Sequence, residues 1–164
     1  MKIRRLTQAD EPFLWEMLYH ALFVPEGDSP FPRDIVNRPE VARCVLGWGR
    51  TGDDGFAAVD ETTQQPVGAV WIRLFTSDNR GYGYVGDDTP ELSIALLPGY
   101  RNQGVGTALL NQMIATARSK YAALSLSVSS KNPAKRLYER LGFEIIKQDG
   151  AALTMLKRFG EPDV

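Results

Sequence analysis

Residues 91–107 read Glu91-Leu92-Ser93-Ile94-Ala95-Leu96-Leu97-Pro98-Gly99-Tyr100-Arg101-Asn102-Gln103-Gly104-Val105-Gly106-Thr107. The first seven alternate, with Leu92, Ile94 and Leu96 on one face and Glu91, Ser93, Ala95 and Leu97 on the other, the two-residue period of a rather buried strand that ends at Pro98. After Gly104 the period changes. Gly106, Leu109, Leu110, Met113, Ile114 and Ala117 fall on one helical stripe, and Arg118 and Lys120 lie where cations suit the helix C-terminus. A glycine-bearing turn from strand to helix aims the unpaired N–H groups of the helix's first turn at an anion. It is no Walker loop, since no Gly-Lys-Ser/Thr follows. It is no dinucleotide fingerprint either, since that pattern's third glycine would fall at Leu109. Two readings stand open: a turn for a different phosphate ligand, or glycines that allow close packing.

Upstream, Ile3–Leu6 predicts a short strand, and Thr7 with Asp10 forms a capping box before a helix whose stripe is Leu14, Met17, Leu18, Ala21 and Leu22. Pro25 to Pro32 is a loop, and Val36–Trp48 predicts a second helix interrupted at Pro39. Phe56–Val59 and Val67–Phe75 predict an antiparallel hairpin. Thr76–Thr89 is an acidic, glycine-rich excursion. It holds a literal G-x-G-x-x-G at Gly81, Gly83 and Gly86, which Asp87, Asp88, Thr89 and Pro90 follow in place of a helix, so it reads as a flexible loop. Downstream come a strand at Leu124–Val128, a helix opened by Asn132-Pro133, and two closing strands, Phe143–Lys147 and Leu153–Lys157. This order predicts an α+β fold, with a mixed central sheet of about six to seven strands flanked by about four helices.

The chain has 164 residues, 43% hydrophobic and 24% charged, which suits one domain spanning 1–164 with a core of its own. A net charge of -1 lacks the long-range field of a nucleic-acid or anionic-membrane binder, so any anionic ligand is held locally. One cysteine, Cys44, and one histidine, His20, argue against a disulfide framework and a clustered Cys/His metal site. The expectation is a cytoplasmic protein with no metal. No apolar signal core follows Met1-Lys2-Ile3-Arg4-Arg5, and no run approaches the ~20 apolar residues of a membrane span.

Arg101-Asn102-Gln103-Gly104-Val105-Gly106 resembles the signature of the GNAT superfamily of acyl-CoA N-acyltransferases: Arg or Gln, two residues, Gly, one residue, then Gly or Ala. Asn132-Pro133-Ala134-Lys135-Arg136-Leu137-Tyr138-Glu139-Arg140-Leu141-Gly142-Phe143 resembles the family's other hallmark, at the family's spacing. The first resemblance implies that the backbone of Arg101, Asn102, Gln103, Gly104, Val105, Gly106 and Thr107 contacts the pyrophosphate of acetyl-CoA. The second implies a cofactor contact for Asn132 and a role for the Tyr138 phenol beside the departing thiolate. Read from the residues, Asn132 is an N-cap, Gly142 ends the helix, and Ala134, Leu137, Tyr138 and Leu141 face inward. Lys131, Lys135, Arg136 and Arg140 read as a solvated face.

The activity implied is transfer of an acetyl group from acetyl-CoA to a primary amine by direct attack in a ternary complex. A lysine-like amine of pKa ~10.4 lies about three units from its neutral form at pH 7, a cost near 4 to 5 kcal/mol, so a base is needed. The single histidine falls in the first helix, which leaves a carboxylate made more basic by burial, acting directly or through water. Glu91 is the candidate, resembling the place of a catalytic glutamate in many family members, and Asp88 is a weaker rival. A bulge in the strand Glu91–Leu97 would free a backbone N–H, which the resemblance implies is near Leu96, to polarise the thioester carbonyl. Phe31, Trp48, Tyr82 and Tyr84 are candidates to line an acceptor pocket, with Glu26, Asp28, Asp87 and Asp88 to attract a cationic small-molecule or peptide amine. The alternative function is a non-catalytic acyl-CoA-binding module, which would need neither Glu91 nor Tyr138. A homodimer is a family-level expectation.

Overall fold

Strand β1, Lys2–Arg5, pairs antiparallel with β2, Asp54–Asp60, which turns into β3, Gln65–Arg73, and so to β4, Glu91–Leu96. The computed structural model describes residues 1–160, so the last four residues of the expected 1–164 domain lie outside them. Beyond β4 come helix α3, Val105–Ala117, strand β5, Ala123–Ser129, helix α4, Ala134–Arg140, and the hairpin β6, Glu144–Asp149, and β7, Ala152–Arg158. The strands form one mixed sheet of order β1-β2-β3-β4-β5-β7-β6, in which β4 and β5 run parallel and every other pair antiparallel.

Alternation along the strands divides the core. Leu92, Leu124 and Leu126 point to the face covered by α3, where Leu109, Leu110 and Met113 are wholly buried. Ala69, Trp71 and Ala95 point to the other face, under Leu14, Met17 and Leu18 of helix α1, Glu11–Ala21. Before α1, the Thr7 N–H donates to Asp10 Oδ2 at 2.7 Å, one half of the expected capping box. No helix among the described residues is long and apolar enough to cross a membrane.

The second predicted helix is much reduced. Val36–Trp48 contains only the end of a 3-10 turn, Arg33–Asn37, and a one-turn helix α2, Pro39–Ala42. Pro39 holds Arg38 in extended backbone, ψ 134°, so the helix restarts there. Further on, the carbonyls of Arg43 and Leu46 turn away to accept from Nη1 of Arg73, at 3.0 and 2.7 Å. Arg73 is itself buried and paired two-fold with Asp53, at 3.0 and 2.8 Å. Tertiary hydrogen bonds to one guanidinium thus replace the helical ladder.

Candidate functional site

Strands β4 and β5 pair at one position, Glu91↔Ser125, and their ladder stops there. From that point toward both C-terminal ends the sheet is open between them. The turn 98–104 follows β4 and helix α4 follows β5, so both sequence motifs stand at the mouth of this slot, at the carboxyl ends of parallel strands where open α/β sheets bind ligands.

The slot also settles the fate of the expected bulge. The β3–β4 register runs without a shift from Gly68↔Leu96 to Arg73↔Glu91, so β4 has no bulge. Leu97 N–H donates toward β3, to the Val67 carbonyl at 2.9 Å, and the Pro90 carbonyl accepts from Ser125 N–H in β5 at 3.1 Å. Antiparallel alternation therefore aims the N–H groups of Ile94 and Leu96 at β5, beyond the point where its ladder ends. Termination of a strand pair, and not an inserted residue, frees the N–H of Leu96.

In the turn, Asn102 (φ +61°) and Gly104 (φ +82°) both take left-handed backbone, which curls the chain around Gln103. Ala108 N–H is the first in α3 to find a helical acceptor, Gly104 O at 3.1 Å, so Val105, Gly106 and Thr107 present unpaired N–H groups. No acidic side chain sits in that first turn. The close-packing reading of the glycines fails here: a Cβ on Gly104 would meet nothing within 4 Å, and one on Gly106 only Leu96 Cδ1 at an ordinary 3.7 Å. Positive φ explains Gly104, whereas Gly106 has neither a backbone nor a packing reason to lack a side chain. A hollow of about 130 Å³ adjoins the turn, between Met1 and Ile3 on one side and Gln103, Gly104, Val105 and Ala108 on the other. The turn fits a phosphate group by its unpaired donors and by the lack of an acidic side chain in the first turn of α3. A larger cleft of about 370 Å³ at Arg5, Asp54 and Lys120 lies apart from this region, and its charges pair with one another, Arg5 to Asp54 at 2.7 Å.

Glu91 stands at the closed end of the slot. Its side chain is 7% exposed; Oε1 accepts from Gly83 N–H at 2.8 Å, and Oε2 is buried without a partner. Burial pushes its carboxyl up from 4.5 to about 7, against the opposing effects of the Gly83 hydrogen bond and of the Arg43 charge. The segment that holds it is the one expected to be a flexible loop. That expectation fails, because a Cβ on Gly81 would fall 1.8 Å from Glu91 Oε2 and one on Gly83 2.7 Å from the Leu126 carbonyl carbon. These two glycines let the loop fold down over β5 and the carboxylate. Their Gly-x-Gly spacing was visible in the sequence, but what they approach was not. Asp88, the rival base, is exposed and lacks the burial that the role requires.

Tyr138 faces inward from α4, 8% exposed, with its ring edge-on to Phe143 at 6.0 Å. Burial pushes its phenol up to about 12, and the hydroxyl has no hydrogen-bond partner among the described residues. Asn132 Oδ1 accepts from Ala134 N–H at 2.9 Å, but the N-cap of α4 is Pro133 and not Asn132, which stands one residue further out than expected. Lys135 pairs with Glu139 at 3.7 Å on the outer side of α4. Trp48 is removed from the acceptor pocket: it is buried, and its indole donates to the Thr7 carbonyl at 3.2 Å. Phe31 and Tyr82 are exposed, and the Tyr84 hydroxyl is tied to Asp87. Among the described residues no group of three or more His, Cys, Asp or Glu is placed to hold a metal ion.

A family model described as acetyltransferase (GNAT) family matches residues 12–143. No curated protein sequence matches the chain. Among solved structures, yncA from Salmonella typhimurium, determined with its cofactor acetyl-CoA, superposes with a TM-score of 0.66 at 22% identity over 100% of this chain and 96% of its own. The PaiA N-acetyltransferase of Thermoplasma acidophilum in complex with coenzyme A gives 0.67 at 17% identity, over 97% and 100%. A Corynebacterium glutamicum structure described as histone acetyltransferase HPA2 and related acetyltransferase gives 0.68 at 25% identity, over 99% and 98%. The likenesses at 22% and 17% show a shared fold.

Proposed function

Because the chain belongs to the acetyltransferase (GNAT) family, we propose that it is an enzyme that transfers the acetyl group of acetyl-CoA to a primary amine by direct attack in a ternary complex. The observation that carries this reading is the slot between β4 and β5: N–H donors at its mouth, a free N–H of Leu96 along one wall, and a buried carboxylate at its closed end. Bound acetyl-CoA supplies the activated acyl group and the phosphates. The N–H groups of Val105, Gly106 and Thr107 and the curled backbone from Arg101 to Gly104 hold the pyrophosphate, and the Asn132 side chain adds a contact from the turn before α4.

Leu96 N–H donates to the thioester carbonyl and takes up the negative charge that develops on its oxygen, in a site already aligned by the sheet. Glu91, with a carboxyl near 7, accepts the amine's proton at neutral pH, where an ordinary carboxylate is too weak a base. From Glu91 to Leu96 is five residues, roughly 16 Å along a strand, so this proton travels through water or hydroxyl groups and not by direct contact. Tyr138 remains protonated at working pH. Its phenol lies above a thiol of pKa ~8.5, so it stabilises the departing thiolate by a hydrogen bond without giving the proton away outright. The acceptor is a small-molecule or peptide amine, and the protein acts as a soluble cytoplasmic domain.

Calorimetric titration with acetyl-CoA, free CoA and NADH tests the reading. Selective binding of acetyl-CoA and CoA supports it, and a panel of spermidine, lysine and a peptide with a free N-terminus then tests for N-acetylation. Binding of none of the three, or of NADH alone, refutes it.

A further inference from the structure

We infer that Ser125 of β5 is a positioning residue for Glu91, its hydroxyl completing the carboxylate's hydrogen bonding at Oε2 and passing protons between Glu91 and the slot. The inference rests on the reading of Glu91 as the base.

Three buried side-chain polar atoms lack partners among the described residues: Glu91 Oε2, Ser125 Oγ and Arg43 Nε. An unpaired buried polar group costs about 1–3 kcal/mol, so orphans gathered in one place call for an explanation. Glu91 and Ser125 are Cα partners at the only β4–β5 pair. Neighbouring strands lie about 4.8 Å apart and partner residues share a face, so the two side chains leave the sheet side by side. Oε1 of Glu91 is already occupied by Gly83 N–H, which leaves Oε2 to face its neighbours, and Ser125 is wholly buried beside it. The two atoms do not bond each other directly, and a single water between them satisfies both orphans.

The other groups around Glu91 cannot relay a proton. Arg43, from the chain after α2, bears on its charge, and Arg73 is its register partner in β3; a guanidinium donates hydrogen bonds but accepts none. Cys44 is pushed up to about 12, by burial first and by the Glu91 charge next, so its thiol keeps its proton. A serine hydroxyl both donates and accepts, as a relay must. Ser127 and Ser129 repeat it on the same face at two-residue steps toward the C-terminal end of β5, and Ser127 is exposed. In the relay step the Ser125 O–H passes its proton through the bridging water to Glu91 Oε2, while Oγ takes one from the slot side, where the ammonium has released it. The amine becomes neutral, Glu91 becomes a carboxylic acid, and no bond between heavier atoms changes.

The test is a carbon-13 NMR titration of the full chain labelled at glutamate carboxyls, with the Glu91 signal identified by its loss in Glu91→Gln. In Ser125→Ala the Glu91 midpoint rises by about half to one unit, since a donor to the charged form is gone. Ser125→Cys, near in size but a weak donor, shows the same rise, and both variants melt below the native chain only as the pH rises past 7, where Glu91 is ionised. A midpoint near 7 in the native chain and in both variants alike overturns this inference alone. A native midpoint in the ordinary range near 4.5 overturns the reading of Glu91 as base, and this inference with it.

Discussion

Replacing Glu91 with glutamine separates what the carboxylate does for chemistry from what it costs the fold. Its carboxyl stands at about 7 in the folded chain against an ordinary 4.5. The folded state therefore holds this proton more tightly than the unfolded chain does. Stability contributed here is fully present below pH 4.5, falls as the pH rises from 4.5 to 7, and is lost above 7. At 1.36 kcal/mol per unit the loss amounts to about 3 kcal/mol. Glutamine keeps the shape and still accepts from Gly83 N–H, but it carries no charge at any pH. Measured by thermal melts without ligand, the Tm advantage of Glu91→Gln over the native chain grows by roughly 6–12 °C between pH 4.5 and 8.5, at 2–4 °C per kcal/mol. In the same variant kcat/KM falls by about 10²–10⁴-fold, and the native rise in kcat/KM with pH, centred near 7, disappears. A Tm difference that stays flat across this range refutes the perturbed carboxyl. Native turnover with the native pH limb refutes the base.

Tyr138→Phe lowers kcat about 10²-fold while the acetyl-CoA Kd stays within about twofold and the Tm does not fall, because the ring still fills its site and the lost hydroxyl had no partner; an unchanged kcat returns Tyr138 to the core. Gly106→Ala raises the Tm by roughly 1–4 °C, since the helix gains about 0.5–1 kcal/mol and the new Cβ meets only Leu96 at 3.7 Å. Gly106→Leu keeps the helix but fills the space before the N–H donors, and calorimetry reads a tenfold or greater loss of acetyl-CoA affinity; undiminished affinity refutes the placement of the phosphates. Gly81→Ala puts a Cβ 1.8 Å from Glu91 Oε2 and costs about 1–3 kcal/mol in a urea melt. In a background of Glu91→Ala that cost largely vanishes, and strict additivity of the two changes counts against the contact.

Much was legible in the sequence because it is written in local periods. The switch from alternation in Glu91–Leu96 to a helical stripe after Gly104 marks β4, the turn and α3, and the fold class follows from repeating such readings along the chain. The turn and the helix carrying Tyr138 were legible as motifs for the same reason: their phosphate donors and inward stripe are properties of a few consecutive residues. Where distant residues meet, the sequence fell silent. Val36–Trp48 has the composition of a helix, yet Arg73, some thirty residues on, draws its carbonyls away. The freed N–H of Leu96 required no bulge, since the end of a strand pair between β4 and β5 supplies it, and strand pairing is not encoded in either strand alone. Glycines 81 and 83 looked like signs of mobility because their reason for lacking a side chain, the carboxylate of Glu91 and the backbone of β5, lies outside their own segment. Local backbone preference and hydrophobic period thus determined the elements, and the family resemblance of two short motifs pointed to Glu91 and Tyr138. Burial and partnership exist only once the chain has closed on itself, and they alone decided how basic Glu91 is, what holds it, and where the slot opens.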